Sequence, residues 1–364
     1  MNKPYNSRVT LLIPVRSADR MTMRCIRSAL EGSLVPEVLV IVCSSDGSIA
    51  ESLRKEFPEV TVFDPGMNPG RAHALNTGLH IALTPYVMTL SPRLLVGRHC
   101  VERLYRQLDE DSSLFSVQAK ILMADDPSRI RGYGWNFGMN GEPYAAGERA
   151  LSSSRGRSRL IGAAMADAAM YRMEALEVTG IFDERFYGKL EDADLGYRAG
   201  LAGYRNMYVP GGICKEQAAE KESPFTRQLE TGNRIYLRYK ITPQWQQNFS
   251  RPLDLVKDFM KEKFLRKEED PERAAATERG RMLCFQAEME LMERTELGMS
   301  VTKQTLPEEF CMEVRDERLK KAYPLYLGER TEGGAEETAA AVRVRIGTLL
   351  AGAGGLIKIV NRFG

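Results

Sequence analysis

Short apolar runs alternate with helically spaced apolar positions over the first 90 residues of the chain. Residues 8–15 (Arg-Val-Thr-Leu-Leu-Ile-Pro-Val) and 37–43 (Glu-Val-Leu-Val-Ile-Val-Cys) are brief, apolar and β-branched, which predicts buried strands. A helical period over 20–32 separates them. Ser44-Ser45-Asp46-Gly47-Ser48 then supplies a turn and a cap for a helix near 48–57. A short strand at 59–63, a helix near 70–83 and a strand at 86–90 continue the alternation. Such alternation predicts an α/β fold with a mainly parallel sheet flanked by helices. Ligands on these sheets sit beyond the carboxyl ends of the strands, so the loops after Val15, Cys43, Phe63 and Leu90 are the first candidates for a site.

The pattern changes beyond residue 114. Residues 114–122 are strand-like, and 131–147 are rich in Gly, Asn and aromatics, which predicts a hairpin or flap with a tight turn at Asn140-Gly141. Residues 151–158 read as a mobile loop, 160–202 as a strand, a short helix and an acidic cluster, and 204–209 as a last strand. From residue 224 the chain is helical and charged. We therefore expect a first domain over 1–223, a helical C-terminal extension over 224–330, and a linker and amphipathic tail over 331–364.

Charge narrows the function classes. Fifty-one basic residues against 49 acidic ones leave a net charge of +2, which argues against a dedicated nucleic-acid binder. The six cysteines are scattered, with no C-x-x-C pair and no zinc spacing, which predicts reduced thiols in a cytoplasmic protein. The first strand begins within eight residues of the start, leaving no room for a signal peptide, and no apolar run reaches transmembrane length. Arg343, Arg345, Lys358 and Arg362 with apolar neighbours make the tail compatible with peripheral contact at the inner membrane face, with an internally docked helix and with a disordered end.

Candidate chemistry centres on Lys189-Leu190-Glu191-Asp192-Ala193-Asp194-Leu195-Gly196. Three carboxylates within four residues repel one another, and a helix N-terminus offsets this only in part. Alone, the cluster reads as an acidic first turn or as a general base. Its flanks favour the base: Gly162-Ala163, Tyr171-Arg172 and Gly180-Ile181-Phe182-Asp183-Glu184-Arg185-Phe186 precede it, and Gly203-Tyr204-Arg205 follows. With Asn68-Pro69-Gly70-Arg71-Ala72-His73-Ala74-Leu75-Asn76 upstream, the run from about residue 8 to 240 resembles the family 2 glycosyltransferases, rhamnosyltransferase-like members included.

That resemblance implies a GT-A fold, a nucleotide-diphosphate sugar donor and inverting transfer to a hydroxyl of a glycan, lipid-linked sugar or protein acceptor. It implies Asp192 as the base, with Glu191 and Asp194 orienting it or binding the acceptor. It puts Pro14, Asp46, Asn68, Gly70, Arg71, Asn76, Ser91 and Arg93 beside the donor, and Trp135, Gly162, Ala163 and Asp183 beside the acceptor. Tyr133, Phe137 and Tyr144 read as stacking surfaces or as flap and core aromatics, and Arg155, Arg157 and Arg159 as steering or merely solvated cations.

The family also implies a divalent cation, Mg or Mn, yet its usual ligands are missing. The stretch after the fourth strand is Ser91-Pro92-Arg93, and Gly211 to Glu216 contains no His. No metal ligand is assigned. Either Arg93 and Lys215 supply the positive charge, or the chain is a catalytically impaired relative binding a glycan or protein partner. Nucleotidyl transfer ranks last, because Arg16-Ser17-Ala18-Asp19-Arg20 lacks glycines.

Overall fold

β1 (Val9–Val15) is buried along almost its whole length, because its apolar residues are covered on both faces. Each fully buried Leu or Ile here contributes about 1.5–3 kcal/mol of transfer free energy. α1 (Arg20–Leu30) follows, with the Asp19 carboxylate accepting from the Thr22 N–H at 2.9 Å as its cap. Next come β2 (Glu37–Val42), α2 (Ser48–Glu56), β3 (Thr61–Phe63), α3 (Arg71–Ile81) and β4 (Tyr86–Leu90). The predicted alternation holds to this point, with strand and helix ends trimmed by one or two residues. The computed structural model describes residues 8–138, 141–219 and 223–241, together with Glu272 and residues 275–277. The predicted turn residue Asn140, the bulk of the helical extension and the whole tail lie outside the described residues.

β5 (Leu94–Val96) and α4 (Cys100–Glu110), whose buried Cys100, Val101, Leu104 and Leu108 have helical spacing, escaped the sequence reading, and the segment 160–202, read as holding one strand, holds two. β6 (Leu114–Leu122) and the hairpin of β7 (Trp135–Phe137) and β8 (Pro143–Ala145) confirm the strand and the flap. The segment read as a mobile loop is instead held in place. Ser152–Arg155 is a 3-10 turn, Leu151 bridges Arg129, and Arg155 and Arg159 lie over the Tyr133 ring at 5.5 and 5.2 Å. These cations serve the packing of Tyr133 and do not line the cleft described below. β9 (Arg159–Ile161), β10 (Ala168–Arg172), α5 (Met173–Thr179), α6 (Glu191–Leu201), β11 (Arg205–Glu216) and α7 (Pro224–Ile241) complete the order.

The main sheet runs β3-β2-β1-β4-β10-β6-β11-β5, with β9 also paired to β11. β3, β2, β1 and β4 are parallel, as are β6 and β11. β10 runs antiparallel between β4 and β6. Helices α1, α2 and α4 bury one apolar cluster on one face, and α3, α5 and α6 bury a second on the other. A third cluster joins α6 to α7 through Phe186, Leu190, Ala193, Leu237 and Ile241. Among the described residues no helix is long and apolar enough to cross a membrane.

The reversed direction of β10 positions the site. Its first residue pairs with the last of β4 (Ala168 with Leu90), so Asp167 lies beside the carboxyl end of β4, and the Ser91 N–H donates to the Asp167 carbonyl at 2.9 Å. On the opposite face Gly196 lets α6 approach the 162–163 segment. A Cβ there would fall 2.2 Å from that of Ala163, so a larger residue would push the acidic first turn off the sheet.

Candidate active site

A cleft of about 390 Å³ opens where the carboxyl ends of β1, β2 and β4 meet the start of β10. Pro14, Cys43, Ser91 and Asp167 form its floor, and Arg16, Arg71, Arg93, Arg131 and Lys189 bring five cations to its lining. Burial pushes the Cys43 thiol up to about 11, so it lies there as a small neutral group.

Asp167 organises the cations. Arg71 donates to one of its oxygens at 2.8 Å and Arg131 to the other at 2.5 Å. Each guanidinium then reaches a glutamate behind the cleft wall: Arg71 to Glu191 at 3.0 Å and Arg131 to Glu216 at 3.3 Å. Burial alone would favour the neutral Asp167 acid. The Arg131 and Arg71 guanidiniums and the Lys189 ammonium outweigh it and hold the carboxyl well below the usual carboxylate range.

α6 begins without a side-chain cap. Its preceding residue, Leu190, and Tyr187 three residues earlier both adopt left-handed backbone angles, with φ 68° and 58°. Such conformations cost non-glycine residues about 1–2 kcal/mol each. The strained segment carries Lys189 into the cleft and delivers Glu191, Asp192 and Asp194 to the first turn of the helix. All three carboxylates are buried.

Their surroundings differ. Glu191 accepts from Arg71 through Oε1, while its buried Oε2 has no hydrogen-bond partner among the described residues. Burial, reinforced by neighbouring Asp192 and opposed by Arg71, pushes Glu191 up to about 7. Asp192 Oδ1 accepts from Trp135 Nε1 at 3.0 Å and the Ala193 N–H at 2.8 Å, and Oδ2 from the Ala166 N–H at 2.8 Å. Burial raises its pKa above the ordinary value, even though Arg71 and two backbone N–H groups favour the anion. Asp194 is paired with Arg198 at 2.9 Å and Lys240 at 2.6 Å. Burial opposes its charge as well, but Lys240 and Arg198 prevail and its pKa is lowered.

The sequence-predicted residues therefore separate into groups. Pro14, Arg71, Ser91 and Arg93 line the cleft. Glu191, Asp192, Trp135, Gly162 and Ala163 gather behind Arg71. Trp135 and Ala163 exchange backbone hydrogen bonds, and the Gly162 N–H donates to Asn136 Oδ1. The rest have other work. Asp46 turns the chain into α2 and is exposed, and Asn68 accepts from the Gly70 N–H. Gly70 is buried, with the Tyr187 ring where its Cβ would be, and the Tyr187 carbonyl takes the Ala72 N–H. The start of α3 is thus covered rather than open to an anion.

Asn76 is buried and spans α3 to the Phe182 backbone and the Glu184 carboxylate. Asp183 accepts from Tyr236 and Lys240 of α7, and Asp194 joins the same ion-paired group. Phe137 packs edge-on against Tyr197, and Lys215 is exposed on β11 away from the cleft lining. Arg93 Nη2 donates to the carbonyls of Ala218 and Ala219 at 2.8 and 2.7 Å.

Sequence reasoning assigned no role to Asp167, Arg131 or Lys189. One signal was present: Asp167 interrupts the apolar run Ala163-Ala164-Met165-Ala166 and Ala168-Ala169-Met170, and a charge there needs a built partner.

The residues at the end of β4 do not fit a divalent cation. Hard cations are held by sets of oxygen ligands in which carboxylates carry the charge; among the described residues no group of three or more His, Cys, Asp or Glu is placed to hold a metal ion, and both oxygens of Asp167 already accept from guanidiniums.

Residues 10–179 match the family described as Glycosyl transferase family 2. The match stops ahead of α6. No curated protein matches the sequence. Among solved structures, the chain is similar to GalNAc-T7 in complex with UDP, GalNAc and Mn2+, at 13% identity and a TM-score of 0.53, over 67% of this chain and 50% of that one. It thus spans about half the length of that protein, and the likeness is one of fold. A mannosyltransferase from Pyrobaculum calidifontis, PcManGT, in complex with GDP-Man and Mn2+, is similar at 17% identity and a TM-score of 0.49, over 80% and 83% of the two chains.

Proposed function

We propose, from the premise that residues 10–179 form a glycosyltransferase family 2 domain with a GT-A-like fold, that this chain is an inverting glycosyltransferase. It moves a sugar from a nucleotide-diphosphate donor to a hydroxyl of a glycan, lipid-linked or protein acceptor. The observation that carries this reading is the linkage through Arg71, which joins a cation-lined cleft to a buried pair of acids. In this reading the donor diphosphate lies in the cleft and the acceptor approaches under the β7–β8 hairpin. Asp192 takes the proton of the acceptor hydroxyl as that oxygen bonds to the anomeric carbon. The bond from that carbon to the diphosphate breaks, and the leaving group carries its charge into the cationic cleft. Glu191, whose Oε2 has no hydrogen-bond partner among the described residues, acts as the neighbour whose charge sets the basicity of Asp192.

A second reading, a relative that binds without turnover, draws support from Asp192 being only 6% exposed beneath Trp135. The two separate in one experiment. The purified chain is incubated with UDP-, GDP- and dTDP-linked sugars, and release of free nucleoside diphosphate is followed. Release from at least one donor is the expected result. Saturable donor binding without any release, with acceptor extracts present, would favour the second reading.

A further inference from the structure

Two non-glycine residues with positive φ, Tyr187 and Leu190, bracket Gly188 and Lys189 in the connection that leads into α6. Tyr187, at φ 58° and ψ −40°, is the centre of a γ-turn in which the Gly188 N–H donates to the Phe186 carbonyl at 2.5 Å. Turns of this hand are rare and strained. Leu190 is left-handed, at φ 68° and ψ 5°. Such backbone persists only where its surroundings over-determine it.

α7 supplies much of that restraint. Asn233 is buried and donates through Nδ2 to the Phe186 carbonyl at 2.7 Å and to the Lys189 carbonyl at 2.8 Å. A side-chain amide has two N–H donors, and the carbonyls at the two ends of the turn take both. The Tyr187 carbonyl between them accepts from the Ala72 N–H of α3 at 3.2 Å, and the Leu190 carbonyl from the Asp194 N–H at 3.1 Å. α7 also holds both flanks. Tyr236 and Lys240 donate to Asp183 ahead of the connection, and Lys240 pairs with Asp194 beyond it. Tyr187, Gly188 and Lys189 line the cleft, and Glu191 and Asp192 follow on the first turn of α6. One buried amide, on a helix beyond the family match, thus reaches the backbone that joins the cleft lining to the acids.

On the reading of the cleft as donor site and of Asp192 as base, we propose that Asn233 is a positioning residue for sugar transfer. Its two N–H groups fix the strained connection, and with it the cleft lining and the two acids relative to each other. Asn233 touches neither substrate nor reacting atoms in this role. It acts through the carbonyls of Phe186 and Lys189. Without it two buried carbonyls lose a donor and the positive-φ residues lose a restraint, so the connection relaxes. Donor contacts and the base then shift together.

Asn233→Leu keeps the bulk of the side chain and removes both donors. Nucleoside diphosphate release is followed for parent and variant full chains, with kcat expressed per folded molecule from urea unfolding curves. The variant's kcat should fall at least about tenfold and its donor KM rise at least about threefold, since both groups ride on one connection. A chain that is only destabilised loses folded molecules and keeps the parental KM. Either constant staying at its parental value, in an active parent, overturns the proposal and leaves the glycosyltransferase reading intact. A parent that releases no diphosphate from any donor overturns both. Hydrogen exchange of the parent, read by mass spectrometry, decides the anchoring even if the variant folds poorly. Peptides within 186–194 should exchange at least about a hundredfold more slowly than unfolded chain, and exchange at the unfolded rate overturns the proposal.

Discussion

Asp194 and Glu191 stand on the same helical turn, and the parts of the molecule that meet them treat them oppositely. Asp194 faces α7, where Lys240 compensates its charge together with Arg198 one turn along α6, and its pKa is lowered. Glu191 lies behind the cleft wall, where one arginine shared with Asp167 reaches one of its oxygens, and its pKa rises to about 7. Asp192, between them, is held by one indole and two backbone N–H groups. The difference is one of compensation. A carboxylate with two cations is a structural element, and a carboxylate that shares one cation is free to exchange a proton near neutral pH. An acidic trio in a sequence therefore does not have one role.

Lys240→Met attacks the compensated side. It leaves Asp194 and Asp183 with a buried charge uncovered, and breaking such a pair costs roughly 3–5 kcal/mol, toward the lower end here because Arg198 remains. The sign with pH follows from the lowered pKa of Asp194. Its stabilisation is present above the unfolded carboxylate pKa and is lost as pH falls through the folded value, so the penalty should fade in acid. Urea unfolding at pH 7 and at low pH checks this. An unchanged midpoint at pH 7 would break the comparison.

Glu191→Gln addresses the other side, with a smaller effect of opposite sign. The folded pKa lies above the unfolded one, so the contribution of Glu191 is fully present below the unfolded value. It is lost as pH rises from the ordinary 4.5 through about 7. The variant should match the parent near pH 4 and exceed it by on the order of 1–3 kcal/mol at pH 8. Parallel stability curves would show that Glu191 is as well compensated as Asp194.

Trp135→Phe sharpens the position of Asp192. Losing the indole N–H removes one hydrogen bond that favours the anion, so the acid limb of the kcat/KM profile should move up by on the order of one pH unit. A profile that stays in place while kcat falls would assign Trp135 to acceptor packing alone.

Much of this architecture is legible in the sequence, for identifiable reasons. Buried parallel strands read as continuous apolar runs, so Val9–Val15 and Glu37–Val42 stand out. The acidic trio is visible because three close carboxylates need an explanation. The direction of β10 is not legible, since an apolar run of five residues reads the same both ways. With it the place of Asp167, and the reason for Arg131, disappear from view. Arg71 and Glu191 are 120 residues apart, and no local spacing announces their pairing. The conversion of Asn76 and Asp183 into structural pins has the same origin, for their partners, Phe182 and Lys240, are set by tertiary packing. Short-range pattern shows where charge accumulates, and long-range packing decides which charge is compensated.

The measurement that tests the account most directly is nucleoside diphosphate release from a sugar nucleotide by the parent chain and by Asp192→Asn, with diphosphate affinity measured on both. General-base catalysis contributes about 10²–10⁴-fold, so release should fall by at least about a hundredfold while affinity changes less than about twofold. An Asp192→Asn chain that releases diphosphate at the parental rate would contradict the account.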